Sequence, residues 1–134
     1  MRIWDFYFVF PREAKKITMP RDLFSLKSSL GEANQYEELL DGQRVFDRMR
    51  PFQLAAYKYL AAHSLIDSAE LAKNSISAGA KPIPNELKQE MKSLDRLQES
   101  VMNVITGPLS ALPLDGPSGL KARTRLLDFK YDLR

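Results

Sequence analysis

The sequence feature that most limits the fold is a long amphipathic segment at residues 85–106. Proline precedes it at position 84, and a Gly-Pro pair at residues 107–108 ends it, because proline cannot continue a helix. Its apolar residues recur at helical spacing and form one stripe, while charged residues cover the other side. The stripe consists of Leu87, Met91, Leu94, Leu97, Val101, Val104 and Ile105. Such a stripe is either buried in the chain's own core or laid into a partner's groove.

Further helices are predicted at residues 20–30, 51–63 and 68–73. Pro20 and Pro51 suit the first position of a helix, and Asp67 or Ser68 can cap the last of the three. A shorter apolar helix is expected just before Pro51. The segment 51–63 places several apolar residues on one face, and its alanines would let another helix pack closely. The residues of this face are Phe52, Ala55, Ala56, Tyr59, Leu60 and His63.

An aromatic run occupies residues 3–10 and stops at Pro11. It is too short for periodicity to separate a buried strand from a buried helix. Aromatic side chains can stack on nucleic-acid bases, but here basic residues only flank the run. We therefore expect it to be buried in the core or against a partner. The candidate partner-binding residues of this run are Trp4, Phe6, Phe8 and Phe10.

These elements predict a mainly α-helical fold, a compact multi-helix domain with one long amphipathic helix. The order of helix, Leu-Ile-Asp step, short helix and extended turn at residues 75–84 resembles part of a winged helix, a pattern that many helical domains share. We expect a helical adaptor domain at residues 1–106, a Pro/Gly-rich linker at 107–119 and a C-terminal docking segment at 120–134.

The C-terminal segment carries the chain's excess charge. Residues 117–134 hold five basic and two acidic residues, which accounts for the whole net charge of +3. The apolar residues Leu126, Leu127, Phe129 and Tyr131 are expected to dock on the body or on a partner protein. The candidate nucleic-acid contacts are Arg48, Arg50, Lys121, Arg123 and Arg125, although the body is neutral and a dedicated duplex-binding domain is usually more basic.

No residue pattern predicts a catalytic, metal or cofactor site. The chain has no cysteine and one histidine, and His63 beside Ser64 and Asp67 is not the spatial arrangement of a triad. Glu37, Glu38 and Asp41 are neighbours in a polar connection rather than a convergent pair. Neither phosphate-binding glycine motif occurs. We expect a non-enzymatic protein without cofactors.

The sequence also predicts a cytoplasmic protein without a membrane partner. No segment approaches the ~20 apolar residues that a membrane helix needs. The aromatic run contains Asp5 and lacks the cleavage site of a signal peptide.

Four segments together resemble the middle components of ABC-three-component systems. The run R-I-W-D-F-Y-F-V-F-P at residues 2–11 is similar to that family's R-I-L-D-F-Y-L-L-F-P, and I-T-M-P-R at 17–21 to its I-x-L-P-R. Residues 44–56 and L-A-A-H-S-L-I-D at 60–67 resemble its L-F-x-x-L-x-P-I-Q-x-A-A-L and L-A-A-K-G-L-I-D patterns. His63-Ser64 stands where the family pattern has Lys-Gly.

The resemblance implies an adaptor subunit that partners an SMC-like ABC ATPase and an effector such as a nuclease, as in Lamassu-like antiphage defence. DNA would be contacted through the complex. Two other hypotheses come from the residues themselves. One is a sequence-tolerant DNA-binding module of winged-helix type, and the other is a small hydrolase, which the missing acid–base set disfavours.

Overall fold

A computed structural model of the chain describes residues 1–30, 39–97 and 99–127, and the fold is mainly α-helical, as predicted. The α-helices are α1 (Arg2–Val9), α2 (Gly42–Ala62), α3 (Ser68–Ala72), α4 (Asn85–Leu97), α5 (Glu99–Thr106) and α6 (Leu120–Thr124). Segments of 3₁₀ helix are Pro11–Lys16, Arg21–Leu30 and Pro108–Ala111. The predicted helix at 20–30 therefore exists with 3₁₀ rather than α geometry.

The aromatic run forms helix α1, which resolves the choice between strand and helix. Phe6 and Tyr7 are fully buried and meet edge to face, with ring centroids 5.3 Å apart. Phe6 makes a second edge-to-face contact with Phe46 of α2 at 5.8 Å. Because α1 also contacts α5, it lies at the centre of the hydrophobic core.

Helix α2 is longer than predicted, and Pro51 lies inside it instead of beginning it. The two helices expected around Pro51 are thus one continuous helix. Asp41 caps its start, because the carboxylate accepts a hydrogen bond from the Arg44 backbone N–H at 2.9 Å. Pro51 cannot donate to the carbonyl of Asp47. Both residues are exposed, so water can bond that carbonyl and the helix continues.

A left-handed residue ends α2. Ser64 has φ 60°, its N–H donates to the Ala61 carbonyl at 2.9 Å, and the Leu65 N–H donates to the Leu60 carbonyl at 2.9 Å. This pair of bonds is the Schellman motif, which usually places glycine at the left-handed position. Ser64 thus takes the left-handed position at the place where the pattern L-A-A-K-G-L-I-D, which residues 60–67 resemble, has glycine.

Asp67 caps α3 as predicted, accepting from the N–H groups of Ala69 and Glu70 at 2.8 and 3.0 Å. An isolated antiparallel bridge joins Ile66 to Ala78, and the described residues contain no longer strand. Gly79 is required here, because a Cβ at this position would lie 2.2 Å from the Ser64 carbonyl oxygen. The winged-helix element stays a prediction, since a single bridge does not establish a wing.

The predicted long helix is described as α4 and α5, with Gln98 outside the described residues. Its stripe has two environments. Val101, Val104 and Ile105 of α5 are buried in the core, whereas the described stripe residues of α4 are exposed. The helical pattern thus predicts the amphipathic stripe correctly. It does not predict that the stripe is buried in α5 and exposed in α4.

The segment predicted as a linker contributes to the core, because Leu109 is fully buried. Leu120 and Leu126 are buried in the same cluster, and the Thr18 N–H donates to the Arg123 carbonyl at 3.0 Å. The described part of the predicted docking segment therefore packs on the body of this chain.

Candidate functional site

A polar clamp fixes α1 against α2 at their crossing. The Arg2 guanidinium donates from Nε to Gln53 Oε1 at 2.7 Å, and the Gln53 amide donates to the Asp5 carboxylate at 2.7 Å and to the Arg2 carbonyl at 3.2 Å. The guanidinium also lies over the Phe46 ring, 4.3 Å from its centroid. Gln53 is 4% exposed, so these bonds satisfy an amide that the core would otherwise leave unpaired.

Tyr57 follows Gln53 by one turn and faces the same crossing. Burial of its hydroxyl, followed by the negative charge of Asp5, raises the pKa of Tyr57 from 10.0 to about 12. The hydroxyl has no hydrogen-bond partner within the described part of the chain. Tyr57 therefore keeps its proton at neutral pH beside the clamp.

A second polar group closes the space between α1 and the start of α2. The buried Glu13 carboxylate accepts from Lys16 Nζ and from the Leu39 N–H, both at 2.9 Å. It lies beside Gly42, where a Cβ would come within 3.1 Å of Glu13 Oε2. Burial, followed by Glu13, raises the pKa of Tyr7 above its ordinary range. A cavity of about 400 Å³ adjoins these residues and is bounded on its far side by Leu126.

The structure divides the predicted partner-binding residues. Phe6 is 1% exposed, so the core encloses it, which is one of the two placements expected for the aromatic run. Leu126 is buried as well. Trp4, Phe10 and Leu127 are half-buried against the core, and Phe8 is half-buried. Phe129 and Tyr131 lie outside the described residues.

The predicted nucleic-acid contacts differ in exposure and in their partners. Arg48 and Arg50 are exposed on α2, as is Arg125 after α6. Lys121 is buried, with Nζ 2.7 Å from an Asp115 carboxylate oxygen. Arg123 donates to the carbonyls of Ser118 and Thr18 at 2.7 and 2.9 Å, so the last two cations serve the fold.

The face of α2 opposite the clamp is exposed. Phe52 and Tyr59 are 76% and 65% exposed, and the rings of Tyr59 and His63 lie 4.4 Å apart. We call this surface the α2 outer face, which consists of Arg44, Arg48, Phe52, Ala55, Ala56, Tyr59 and His63. It was predicted to pack against another helix, but none of the described residues covers it.

A second exposed apolar surface lies on α4. Its members recur at helical spacing and belong, in sequence, to the same stripe as the buried residues of α5. We call it the α4 apolar face, which consists of Leu87, Met91 and Leu94. Since exposed apolar patches mark interaction sites in folded proteins, the two faces are the best candidates for a functional surface.

Sequence reasoning missed the clamp, although the signal was present. Asp5 interrupts an aromatic run, and Gln53 lies among the apolar positions of α2. A polar residue on a buried face indicates a partner elsewhere in the core. The sequence could not identify that partner, since Asp5 and Gln53 meet only through the packing of α1 on α2.

The described residues contain no group of three or more potential metal ligands. None of their helices is both long enough and apolar enough to cross a membrane. His63, the single histidine, is exposed on the α2 outer face.

The fold and its surfaces define a small, mainly α-helical protein with exposed apolar faces. Residues 1–132 match the family described as ABC-three component (ABC-3C) system Middle Component 5, and the chain belongs to this family. As the middle component of a multi-component system, it works with partner proteins. Comparisons with curated proteins and with solved structures give no significant match.

Proposed function

We propose that this chain is a non-enzymatic adaptor. It binds an SMC-like ABC ATPase through one surface and an effector, such as a nuclease, through another. The complex acts in the cytoplasm in antiphage defence of the Lamassu type. The likeness of residues 2–11, 17–21, 44–56 and 60–67 to the middle-component patterns supports the choice of partners.

The observation that carries this proposal is the presence of exposed apolar faces on two different helices. An adaptor needs two surfaces, because it must hold two partners at once. The α2 outer face and the α4 apolar face differ in character. The first is aromatic and basic. The second is aliphatic, and the acidic and basic residues around it are equal in number. Two such surfaces fit two different partners better than one repeated contact.

The α4 apolar face provides a direct test. Leu87→Ser combined with Met91→Ser removes most of its apolar surface and leaves the core residues of α5 in place. The chain should lose one component of its system in co-purification and retain the other. The matched control is Leu114→Ser, since Leu114 is an exposed leucine outside both faces. If the variant still co-purifies with both components, the α4 apolar face is not a binding surface of the adaptor.

A DNA-binding module is the alternative function, favoured by the exposed arginines Arg48 and Arg50. Phosphate contacts make affinity fall steeply with salt. A salt titration of duplex binding by the isolated chain separates the two functions. Tight and steeply salt-dependent binding favours the DNA-binding module, whereas weak binding at all salt concentrations favours the adaptor.

A further inference from the structure

We propose that the α2 outer face binds an amphipathic helix of a partner protein whose apolar stripe is flanked by acidic side chains. This inference rests on the proposed adaptor function and adds the chemistry of one partner. It follows from the spacing of two aromatic residues, the small residues between them, and the charges beside them.

The aromatic residues of this face are separated by two helical turns. Phe52 and Tyr59 are seven residues apart, which places them about 10 Å apart along the axis of α2. Both are largely exposed, and large aromatic residues supply most of the binding energy in many interfaces. The face therefore offers two anchors in line with the helix.

Ala55 and Ala56 lie between the anchors and are exposed. Small side chains leave a gap into which an apolar side chain of a partner helix can insert, in the manner of a knob in a hole. A partner helix can thus approach the α2 backbone closely between Phe52 and Tyr59. Flat nucleic-acid bases stacked on Phe52 and Tyr59 would leave this gap empty. For that reason we favour a protein partner over a nucleic acid.

The charges beside the anchors are mostly positive. Arg44 and Arg48 precede Phe52 by two turns and one turn, and Lys58 adjoins Tyr59; all three are exposed. Their side chains form no ion pair within the described part of the chain, and Asp47 is the one exposed acid of α2. Opposite charge on the partner would speed association and set its orientation.

A second copy of this chain fits the face less well. A second copy would offer its α4 apolar face, which carries Glu86 and Glu90 along one side of the stripe and Lys88 and Lys92 along the other. The lysine side presents the arginines of α2 with like charge, so only one of the two sides matches them. A partner with acidic residues on both sides of its apolar stripe avoids this repulsion.

Binding measurements with the full chain test this inference. The probes are the two other components of its own system, each purified, together with a 30-nucleotide single strand and a duplex of equal length. Phe52→Ala and Tyr59→Ala should each weaken binding to one component at least tenfold. Arg44→Glu combined with Arg48→Glu should weaken it and reduce its dependence on salt. Phe24→Ala is the matched control, because Phe24 is 64% exposed but lies in the 3₁₀ segment Arg21–Leu30, and it should change the affinity less than twofold.

The outcomes separate this surface from the adaptor function itself. If the chain binds its components but all three α2 variants bind as the wild type does, this inference is overturned and the adaptor remains. If the chain binds neither component, both fail. Two other results would overturn the assignment to a partner helix. One is tighter binding to DNA than to either component, with that binding lost in the same variants. The other is a dimer of the chain that dissociates in these variants. Unchanged thermal unfolding of the variants excludes misfolding as a cause.

Discussion

The amide of Gln53 donates a 2.7 Å hydrogen bond to the carboxylate of Asp5, which joins two of the segments that resemble the middle-component patterns. Asp5 belongs to the I-W-D-F-Y run and Gln53 to the P-F-Q segment. With Arg2 they form the polar clamp that sets the crossing of α1 and α2. The clamp gives these motif positions a structural role.

Gln53→Leu should destabilise the fold by about 1–3 kcal/mol, because it removes a buried amide together with its hydrogen bonds to Arg2 and Asp5. Gln43→Leu makes the same change at an exposed position of α2 and should alter the free energy of unfolding by less than about 0.5 kcal/mol. Urea unfolding followed by circular dichroism measures both. Equal effects of the two substitutions would show that the clamp contributes nothing to stability.

Phe6→Ala should cost about 3–5 kcal/mol, since it opens a cavity in a packed core. Phe8→Ala should cost less, because Phe8 is half-buried. Phe52→Ala is the control with identical chemistry at an exposed site and should stay within about 0.5 kcal/mol of the wild type. A similar melting temperature for the Phe6 and Phe52 variants would contradict the placement of α1 in the core.

Ser64→Gly should stabilise the chain by about 0.5–1 kcal/mol, because glycine adopts a positive φ without the steric cost of a Cβ. Ser64→Ala retains that cost and should bring no such gain. Thermal unfolding of the two variants decides the matter. Gly79→Ala should do the opposite and destabilise the chain, as its Cβ would collide with the Ser64 carbonyl.

The pKa of Tyr57, raised from 10.0 to about 12, predicts a loss of stability in alkali. The unfolded chain releases this proton near pH 10 and the folded chain near pH 12. Stability is therefore unaffected below pH 10 and falls as the pH rises through this window. Ultraviolet titration should show a phenolate forming near pH 12 that is absent in Tyr57→Phe. That variant should be no less stable at neutral pH, since the buried hydroxyl it removes has no partner among the described residues.

The sequence predicts the helices well where periodicity and caps agree. Asp67 begins α3 as its side chain suggests, and the stripe of residues 85–106 is helical throughout its described part. Pro51 led to a wrong prediction of where α2 begins. Proline favours the first turn of a helix, but it can lie further inside when water bonds the carbonyl that its missing N–H leaves without a donor. Local patterns also cannot show which half of an apolar stripe packs against the core. Val101 and Met91 both belong to the stripe, yet Val101 is buried and Met91 is exposed.

The candidate surfaces were harder to predict than the fold. Phe6 and Phe52 have the same side chain, and only tertiary packing decides that one is core and the other exposed. Lys121 and Arg123 look like a basic surface in sequence. They instead bond Asp115 and backbone carbonyls, because α6 folds back on the body.

The most direct test of the adaptor is a mixing experiment with the two other components of the system, followed by mass photometry. A complex that contains all three proteins should form only when this chain is added. The chain alone should hydrolyse no nucleotide and cleave no DNA. Equal assembly of the two other components without the chain, or a catalytic activity of the purified chain that a point substitution in it abolishes, would contradict the adaptor function.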